Sequence, residues 1–290
     1  MLIPPNSSSD APSRGPRVCA VSYLNTVPLV WGLLHDESLK SVFDLRFALP
    51  SRCADDLRSG EADLGIVPVI EMSRQGLDYF PGIGISSVGP VRSILLVSKV
   101  AFRDIQTLAT DAGSRTSVML ARVILAEKFG ATPRLISQPP ELTTMLGSAD
   151  AALLIGDAAL YVDPARLPFE TLDLGAEWTS LTGLPMVFAV WSGRKEVVRE
   201  PYGKALADSC RYGLAHLDEI VPREAKARNM PEPLVHRYLH EYIKFEFGPK
   251  HAEGLAEYLK RATALDRLQV PGAAMAKSKE AAPVSGGNAA

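Results

Sequence analysis

The sequence has no apolar run that approaches the ~20 consecutive residues of a membrane-spanning helix, and its start lacks the basic and apolar segments of a secretory signal. It has no excess of basic residues either, since the formal net charge is -2 and the isoelectric point about 6.2. We therefore expect a cytoplasmic protein that binds neither nucleic acid nor a membrane. Only three widely spaced cysteines are present, Cys19, Cys53 and Cys210, which favours reduced thiols over a disulfide framework.

Several catalytic and cofactor-binding motifs are also missing. No Walker loop, nucleophile elbow or HExxH helix occurs, and Gly82-Ile83-Gly84 is not completed to a dinucleotide fingerprint. His236 and His240 are four residues apart, as in some metal sites, but their tyrosine and leucine neighbours indicate packing and no third ligand is evident. We expect no metal and no cofactor.

What the sequence does contain is an alternation of strand and helix patterns over a chain that is 47% hydrophobic. Short links between these elements predict a mainly parallel α/β fold. Two such units, with strands near 95–100 and 187–192 able to cross between them, predict two lobes around a cleft. The predicted boundaries are 17–98 with 190–272 for the first lobe, 99–189 for the second, and disordered tails at 1–16 and 273–290.

Polar residues follow the first predicted strand, Val18 to Val21. Ligands of open α/β sheets bind where strands end and helices begin. Ser22, Tyr23 and Asn25 lie at such a point, directly before a helix that starts behind Pro28. These residues are candidates for binding a ligand, and an ordinary strand-to-helix loop is the alternative.

A candidate anion site opens the helix predicted over residues 116–129. Ser114 is a suitable N-cap, and the free N–H groups behind it favour negative charge. Arg115 could add a charge-assisted contact to a carboxylate, with Thr116 and Ser117 beside it. The alternative is plain helix capping with a solvated arginine.

Three further turns have a similar pattern. A strand ends at Gly156-Asp157, where glycine permits close approach and the aspartate could also cap its own helix. Thr182-Gly183 precedes an apolar strand, and the serines around Gly89-Pro90 could point hydroxyl groups at the same cleft; these serines are Ser86, Ser87 and Ser93. A purely structural role in the turns is the alternative for these serines.

The chain resembles the chorismate dehydratases of the futalosine route to menaquinone. The resemblance covers nearly all of residues 17–262 and is carried by VSYLNTVPLVWGL, ADLGIVPVIE, SSVGPVRSILLVS, SRTSVMLARVIL, ALLIGDAAL, DLGAEWTSLTGLPMVFAVW and YLHEYIKFEFGPKHAEGLAEYLKRA. It implies a two-lobed type II periplasmic-binding-protein-like fold and a cofactor-independent hydro-lyase. Two positions depart from the family pattern: Arg92 stands where the family often has a neutral residue, and Leu181 where it often has tryptophan.

On this resemblance the substrate is chorismate, which has two carboxylates and therefore needs two anion sites. We expect the helix start at residues 114–117 to hold one carboxylate, and Ser22, Asn25 and Ser93 to bind the other end of the substrate. Asn25, Ser93 and Asp157 are the candidate catalytic residues. Either Asp157 or the enolpyruvyl carboxylate of the substrate accepts the proton, and the wealth of neutral donors in the motifs favours the substrate.

Two other functions remain possible on the same fold. One is a non-catalytic protein that closes on a small anion, and the other is the sister enzyme of the same pathway, 1,4-dihydroxy-6-naphthoate synthase. The SYLN and SRTS segments favour the dehydratase. The oligomeric state, a monomer or a homodimer, does not follow from the sequence.

Overall fold

The computed structural model describes residues 15–111, 113 and 115–268. The predicted tails lie almost entirely outside these residues. The strands of the described part are β1 (Arg17–Val21), β2 (Asp44–Ala48), β3 (Leu64–Pro68), β4 (Asp78–Ser87), β5 (Ile94–Ser98), β6 (Thr107–Thr110), β7 (Arg134–Ser137), β8 (Ala151–Ile155), β9 (Glu170–Asp173), β10 (Met186–Gly193) and β11 (Lys244–Phe247).

The helices cover both sheets and dominate the C-terminal part. They are α1 (Val27–His35), α2 (Pro50–Ser59), α3 (Val69–Gln75), α4 (Arg115–Phe129), α5 (Leu142–Ser148), α6 (Gly156–Leu160), α7 (Leu174–Thr182), α8 (Tyr202–Ala215), α9 (Leu217–Arg228), α10 (Glu232–Arg237) and α11 (Pro249–Leu268). A π-helical turn, Tyr238–Tyr242, follows α10. No helix among the described residues is long and apolar enough to cross a bilayer.

The strands form two sheets. The first has the order β11-β4-β10-β3-β1-β2 and the second the order β7-β6-β8-β5-β9. Strand β1 pairs in parallel with β2 and β3, and β6 pairs in parallel with β7 and β8. The pairs that involve β4, β5, β9, β10 and β11 are antiparallel. The sheets are therefore mixed, because the strands that follow the two lobe crossings run against their neighbours.

The chain crosses between the sheets twice, between β4 and β5 and again between α7 and β10. The boundaries predicted from the sequence differ from this division. Residues 94–98 belong to the second sheet and residues 186–189 to the first, because β5 pairs with β8 and β10 pairs with β3. The crossings thus lie in the turns and not within the strands.

The first crossing is fixed by two side chains. The Asp173 carboxylate, which caps α7, accepts hydrogen bonds from the backbone N–H groups of Val91 and Arg92. Arg92 has a positive φ of 64°, and its guanidinium donates to carbonyl groups at the end of α6, those of Ala159, Leu160 and Val162. The left-handed backbone at Arg92 is held by these contacts.

One large hydrophobic core runs through both lobes. Its largest fully buried side chains include Trp31, Trp178 and Trp191. The sulfur atoms of Cys19 and Cys53 are in contact at 2.6 Å, and both cysteines are buried free thiols. This core holds the carboxyl ends of β1, β3 and β8 around the space between the sheets.

Candidate functional site

A cavity with about 580 Å³ of empty space lies between the two sheets. This volume includes the space that is open to solvent at the mouth of the cavity. Both sheets contribute apolar walls, such as Ile66 and Phe188 from the first and Ile155 from the second. The polar lining consists of Tyr23, Asn25, Thr26, Ser93, Arg115, Thr116 and Ser117.

The loop after β1 supplies the first polar group. Its backbone is held in place because the N–H of Ser22 donates to the carbonyl of Ala48. The ring of Tyr23 lies against Gly156, where a Cβ would be only 3.0 Å from the ring atoms and where φ is +57°. Only glycine suits both constraints, so Gly156 allows the loop of one lobe to approach the other. Burial, and then the carboxylates of Asp111 and Asp157, raise the pKa of Tyr23, which therefore stays neutral.

Asn25 and Ser93 have a common neighbour, Tyr238. The hydroxyl of Tyr238 donates to Ser93 Oγ at 2.9 Å, and the Asn25 side chain lies near the same hydroxyl. Tyr238 is 1% exposed, and burial raises its pKa well above the ordinary range. The cavity thus presents two neutral polar side chains with a neutral phenol behind them, which is bonded to Ser93.

The start of α4 supplies the second group, Arg115, Thr116 and Ser117. Ser114, predicted as its N-cap, lies outside the described residues. The guanidinium of Arg115 pairs with Asp55 at 3.1 Å and with Glu71 at 3.0 Å, both on the first lobe. Arg115 therefore contributes its charge to a contact between the lobes as well as to the cavity wall.

The Glu71 carboxylate is 3% exposed. Burial raises its pKa, but hydrogen bonds and charges from Arg115, Arg74 and Gln75 outweigh burial, and the pKa lies below its ordinary value. Glu71 is consequently a buried anion that fixes Arg115.

Asp157 lies behind the cavity lining. Its carboxylate accepts a hydrogen bond from the N–H of Leu24 at 3.0 Å and pairs with Arg228, whose side chain is 1% exposed. The same guanidinium lies 3.2 Å from Glu224. Burial raises the pKa of Asp157 and of Glu224, and Arg228 opposes this rise in both. Asp157 is thus placed to join the second lobe to the first.

Besides Asp157, five of the predicted residues lie outside the cavity lining. The hydroxyls of Ser86 and Ser87 donate to the carbonyls of Lys244 and Gly89. The hydroxyl of Thr182 donates to the Trp178 carbonyl, and Gly183, with φ +73°, ends α7. Ser22 contributes backbone contacts: its carbonyl lies 3.5 Å from Arg228 Nη2.

Four residues of this region were not predicted from the sequence: Thr26, Glu71, Arg228 and Tyr238. Tyr238 lies in a matched segment but looked like a packing residue, and nothing in the local pattern of Arg228 shows that it reaches a turn 71 residues away. No group of three or more candidate metal ligands occurs among the described residues. His236 and His240 stack their rings.

Comparison with known proteins places this geometry in a family. Residues 16–264 match the model of a family described as menaquinone biosynthesis. A chorismate dehydratase of Thermus thermophilus is 31% identical over 75% of this chain and 84% of its own length. A chorismate dehydratase of Campylobacter jejuni is 25% identical over 85% of this chain and 97% of its own.

Solved structures are similar at the level of the fold. A protein of Archaeoglobus fulgidus covers 89% of this chain and 100% of itself with a TM-score of 0.71 and 16% identity. The periplasmic aliphatic sulphonate binding protein of Escherichia coli has a TM-score of 0.59 and 17% identity, and covers 89% of each chain. A Candida albicans protein described as having the generic periplasmic binding protein fold has a TM-score of 0.62 and 13% identity, covering 86% of this chain and 90% of its own. The predicted two-lobed periplasmic-binding-protein-like α/β fold is confirmed.

Proposed function

Because the chain belongs to the menaquinone-biosynthesis family that includes the chorismate dehydratases, we propose that it removes water from chorismate to give 3-[(1-carboxyvinyl)oxy]benzoate. The proposal includes catalysis without a cofactor, as a carbon–oxygen lyase, by a cytoplasmic enzyme. The proposed site residues are the polar residues that line the cavity, and these include the helix start at residue 115.

The observation that carries the proposal is the kind of polar group found in this mainly apolar cavity. Among the described residues that line it, the charged side chain is an arginine, and the other polar groups are amide, hydroxyl and phenol. Such a lining suits a ligand with carboxylates, since it offers donors and no fixed negative charge. Chorismate has a carboxylate at each end, and the two polar clusters lie on the two lobes.

The reaction needs little from the protein beyond orientation and charge stabilisation. The proton leaves the ring carbon that bears the enolpyruvyl ether, and the electron pair spreads through the adjacent double bond to the ring carboxylate. Hydroxide then leaves from the neighbouring carbon, the ring becomes aromatic, and the abstracted proton and hydroxide together make the released water. Donors at the ring carboxylate stabilise the developing charge.

The substrate's own enolpyruvyl carboxylate is the proton acceptor in this proposal. Asp157, the protein alternative, has one carboxylate oxygen on the N–H of Leu24 and the other on Arg228, and it is not part of the lining. A base must reach the proton that it removes, at about 2.6–3.2 Å. Asn25 and Ser93 would orient the substrate by hydrogen bonds.

The first experiment mixes purified protein with chorismate, without metal or cofactor, and follows absorbance and mass. We expect an aromatic product that is lighter by one water. Binding without turnover would instead indicate the small-anion binding protein, and an absence of binding would contradict the proposed substrate.

A second experiment tests the proton acceptor. We expect a chorismate analogue with an amide in place of the enolpyruvyl carboxylate to be inert, and the Asp157→Asn variant to retain turnover within about tenfold. Turnover of the amide, with a complete loss in Asp157→Asn, would assign the base to Asp157. The variant Asn25→Ala tests the proposed site. Near wild-type activity in this variant would contradict the role proposed for Asn25.

A further inference from the structure

We propose that Tyr238 is a positioning residue for this reaction, whose hydroxyl holds Asn25 and Ser93 so that both present protons to the substrate. The inference rests on the proposed function and adds to it a residue outside the cavity lining. The inference is based on the position of the buried Tyr238 phenol, which lies beside Asn25 and Ser93 of the cavity wall.

The direction of the hydrogen bonds gives the phenol its role. Tyr238 donates its own proton to Ser93 Oγ, so the proton of the Ser93 hydroxyl is free to point elsewhere. The Asn25 side chain lies near the phenolic oxygen, and its amide has two protons, one of which can face the cavity. Both residues therefore act as donors, which suits a carboxylate or a departing hydroxyl.

The backbone around Tyr238 also indicates a functional placement. Tyr238 begins a π-helical turn directly after α10, and such turns are frequent at functional sites. Ile243, which follows this turn, itself lines the cavity. The turn therefore brings one hydroxyl and one apolar side chain to the cavity wall from the C-terminal helices.

Ser93 is held on its other side by the second lobe. The N–H of Gly156 donates to the Ser93 carbonyl at 2.8 Å. Tyr238 belongs to the first lobe, so Ser93 is fixed between a glycine of one lobe and a phenol of the other. Loss of the phenolic proton donor would leave the Ser93 hydroxyl free to rotate and to accept instead of donate.

The test is Tyr238→Phe, which keeps the ring and removes only the hydroxyl. We expect kcat for chorismate to fall about 10–100-fold with KM changed less than threefold, since small errors in placing catalytic groups have effects of this size. Tyr242→Phe is the matched control, because Tyr242 lies in the same π-helical turn, half-buried. We expect it to keep wild-type kinetics.

A double-mutant cycle separates positioning from packing. If Tyr238 acts through Ser93, Tyr238→Phe should cost little kcat in a Ser93→Ala background, whereas independent effects would multiply. Unchanged kcat in Tyr238→Phe, or fully multiplicative losses, would overturn the inference while wild-type turnover still supports the proposed function. Absence of turnover in the wild-type protein would contradict the proposed function itself.

Discussion

At the scale of single residues, Glu71 and Glu224 are two buried glutamates whose pKa values are shifted in opposite directions. Their exposed fractions are 3% and 4%. Arg115, Arg74 and Gln75 lower the pKa of Glu71 in spite of burial, whereas burial raises the pKa of Glu224 in spite of Arg228. The difference arises because Glu71 has several partners and Glu224 shares its arginine with Asp157.

We therefore expect Glu71→Gln and Glu224→Gln to change the pH dependence of unfolding in opposite directions. A lowered pKa contributes stability that is present above the unfolded pKa and is lost as pH falls through the folded pKa. Glu71→Gln should thus be less stable than wild type near neutral pH, with a deficit that shrinks on acidification. Urea unfolding from about pH 4 to pH 8 measures this deficit.

Glu224→Gln is the matched comparison. A raised pKa contributes stability that is present below the unfolded pKa and is lost as pH rises through the folded pKa. The glutamine amide does not ionise and cannot lose this contribution. The free energy of unfolding of the variant should therefore increase relative to wild type as the pH rises above 4.5, the ordinary pKa of glutamate. Parallel pH profiles for the two variants would contradict the assigned directions.

The sequence could predict the polar residues near the site better than their roles. Asn25, Ser93, Thr116 and Ser117 are polar residues at strand ends or at a helix start, which is a local pattern. The partner of Arg115 could not be predicted, because Asp55 and Glu71 lie 60 and 44 residues earlier in the chain. Pairing between residues that are distant in the sequence decides whether an arginine is free to bind a ligand. A local sequence pattern does not contain this information.

At the scale of elements, helices α1 and α8 pack so closely that glycine is required in both. A Cβ on Gly213 would lie 2.0 Å from the Pro28 carbonyl oxygen, and one on Gly32 would lie 2.6 Å from Ser209 Cα. Ser209 Oγ joins the pair further by accepting from the N–H of Leu33 and donating to the Leu29 carbonyl. Since α1 directly follows the loop with Asn25, this packing fixes the site loop.

We expect Gly213→Ala to lower the free energy of unfolding by about 1–3 kcal/mol, the usual effect of overpacking. The displaced α1 should also raise KM for chorismate. Gly147→Ala is the control, because Gly147 lies within α5 with nothing within 4 Å of its would-be Cβ. That variant should be neutral or more stable by about 0.5–1 kcal/mol. Equal stability of the two variants, by urea unfolding, would contradict the packing argument.

A second prediction at this scale concerns the first crossing. Asp173→Ala removes the acceptor for four N–H groups, two in α7 and two at Val91 and Arg92. Because Val91 lines the cavity, we expect weaker chorismate binding together with lower stability. Glu141→Ala removes the cap of α5 and serves as the control, since it should leave KM unchanged.

The elements themselves were predictable where the pattern is long or strongly apolar. Strand β1 and helix α4 have the predicted C-terminal ends, and each begins one residue earlier than expected. Strands β9 and β11 were missed: each has four residues, and their burial is only partial. Pairing with β5 and with β4 makes them strands, which is a tertiary contribution. Pro222 lies inside α9, although proline in a helix interior usually kinks or ends the helix.

At the scale of the whole molecule, two ion-pair groups connect the lobes. Arg115 joins α4 to Asp55 and Glu71, and Arg228 joins α9 to Asp157. The hydroxyl of Tyr161 adds a bond to the Arg228 carbonyl at 2.6 Å. Both groups join the lobes in the arrangement of this structure, which we call the closed arrangement, and they favour it without a bound substrate.

Removing the second group should loosen the closed arrangement. In Arg228→Met, the buried Glu224 and the partly buried Asp157 lose their shared cation, and loss of the cation from a buried ion pair destabilises by roughly 3–5 kcal/mol. Protonation of Asp157 or Glu224 relieves part of this cost, because burial already raises the pKa of both. The triple variant Arg228→Met, Asp157→Asn, Glu224→Gln has no buried charge left at this position and should regain most of the stability. A triple variant as unstable as Arg228→Met would show that the guanidinium matters for packing and not for charge.

The same variants test whether the ion pairs act on lobe closure. We expect Arg228→Met, without ligand, to have a larger radius of gyration in solution scattering than wild type, and a saturating carboxylate ligand to reverse the increase. A ligand can shift the equilibrium only by its preference for the closed form, so its apparent affinity should fall by the fraction of closed molecules lost. A smaller kcat with an unchanged radius of gyration would place the effect at the site and not in the closure of the two lobes. Such a local effect would arise because Arg228 lies beside the loop of Ser22.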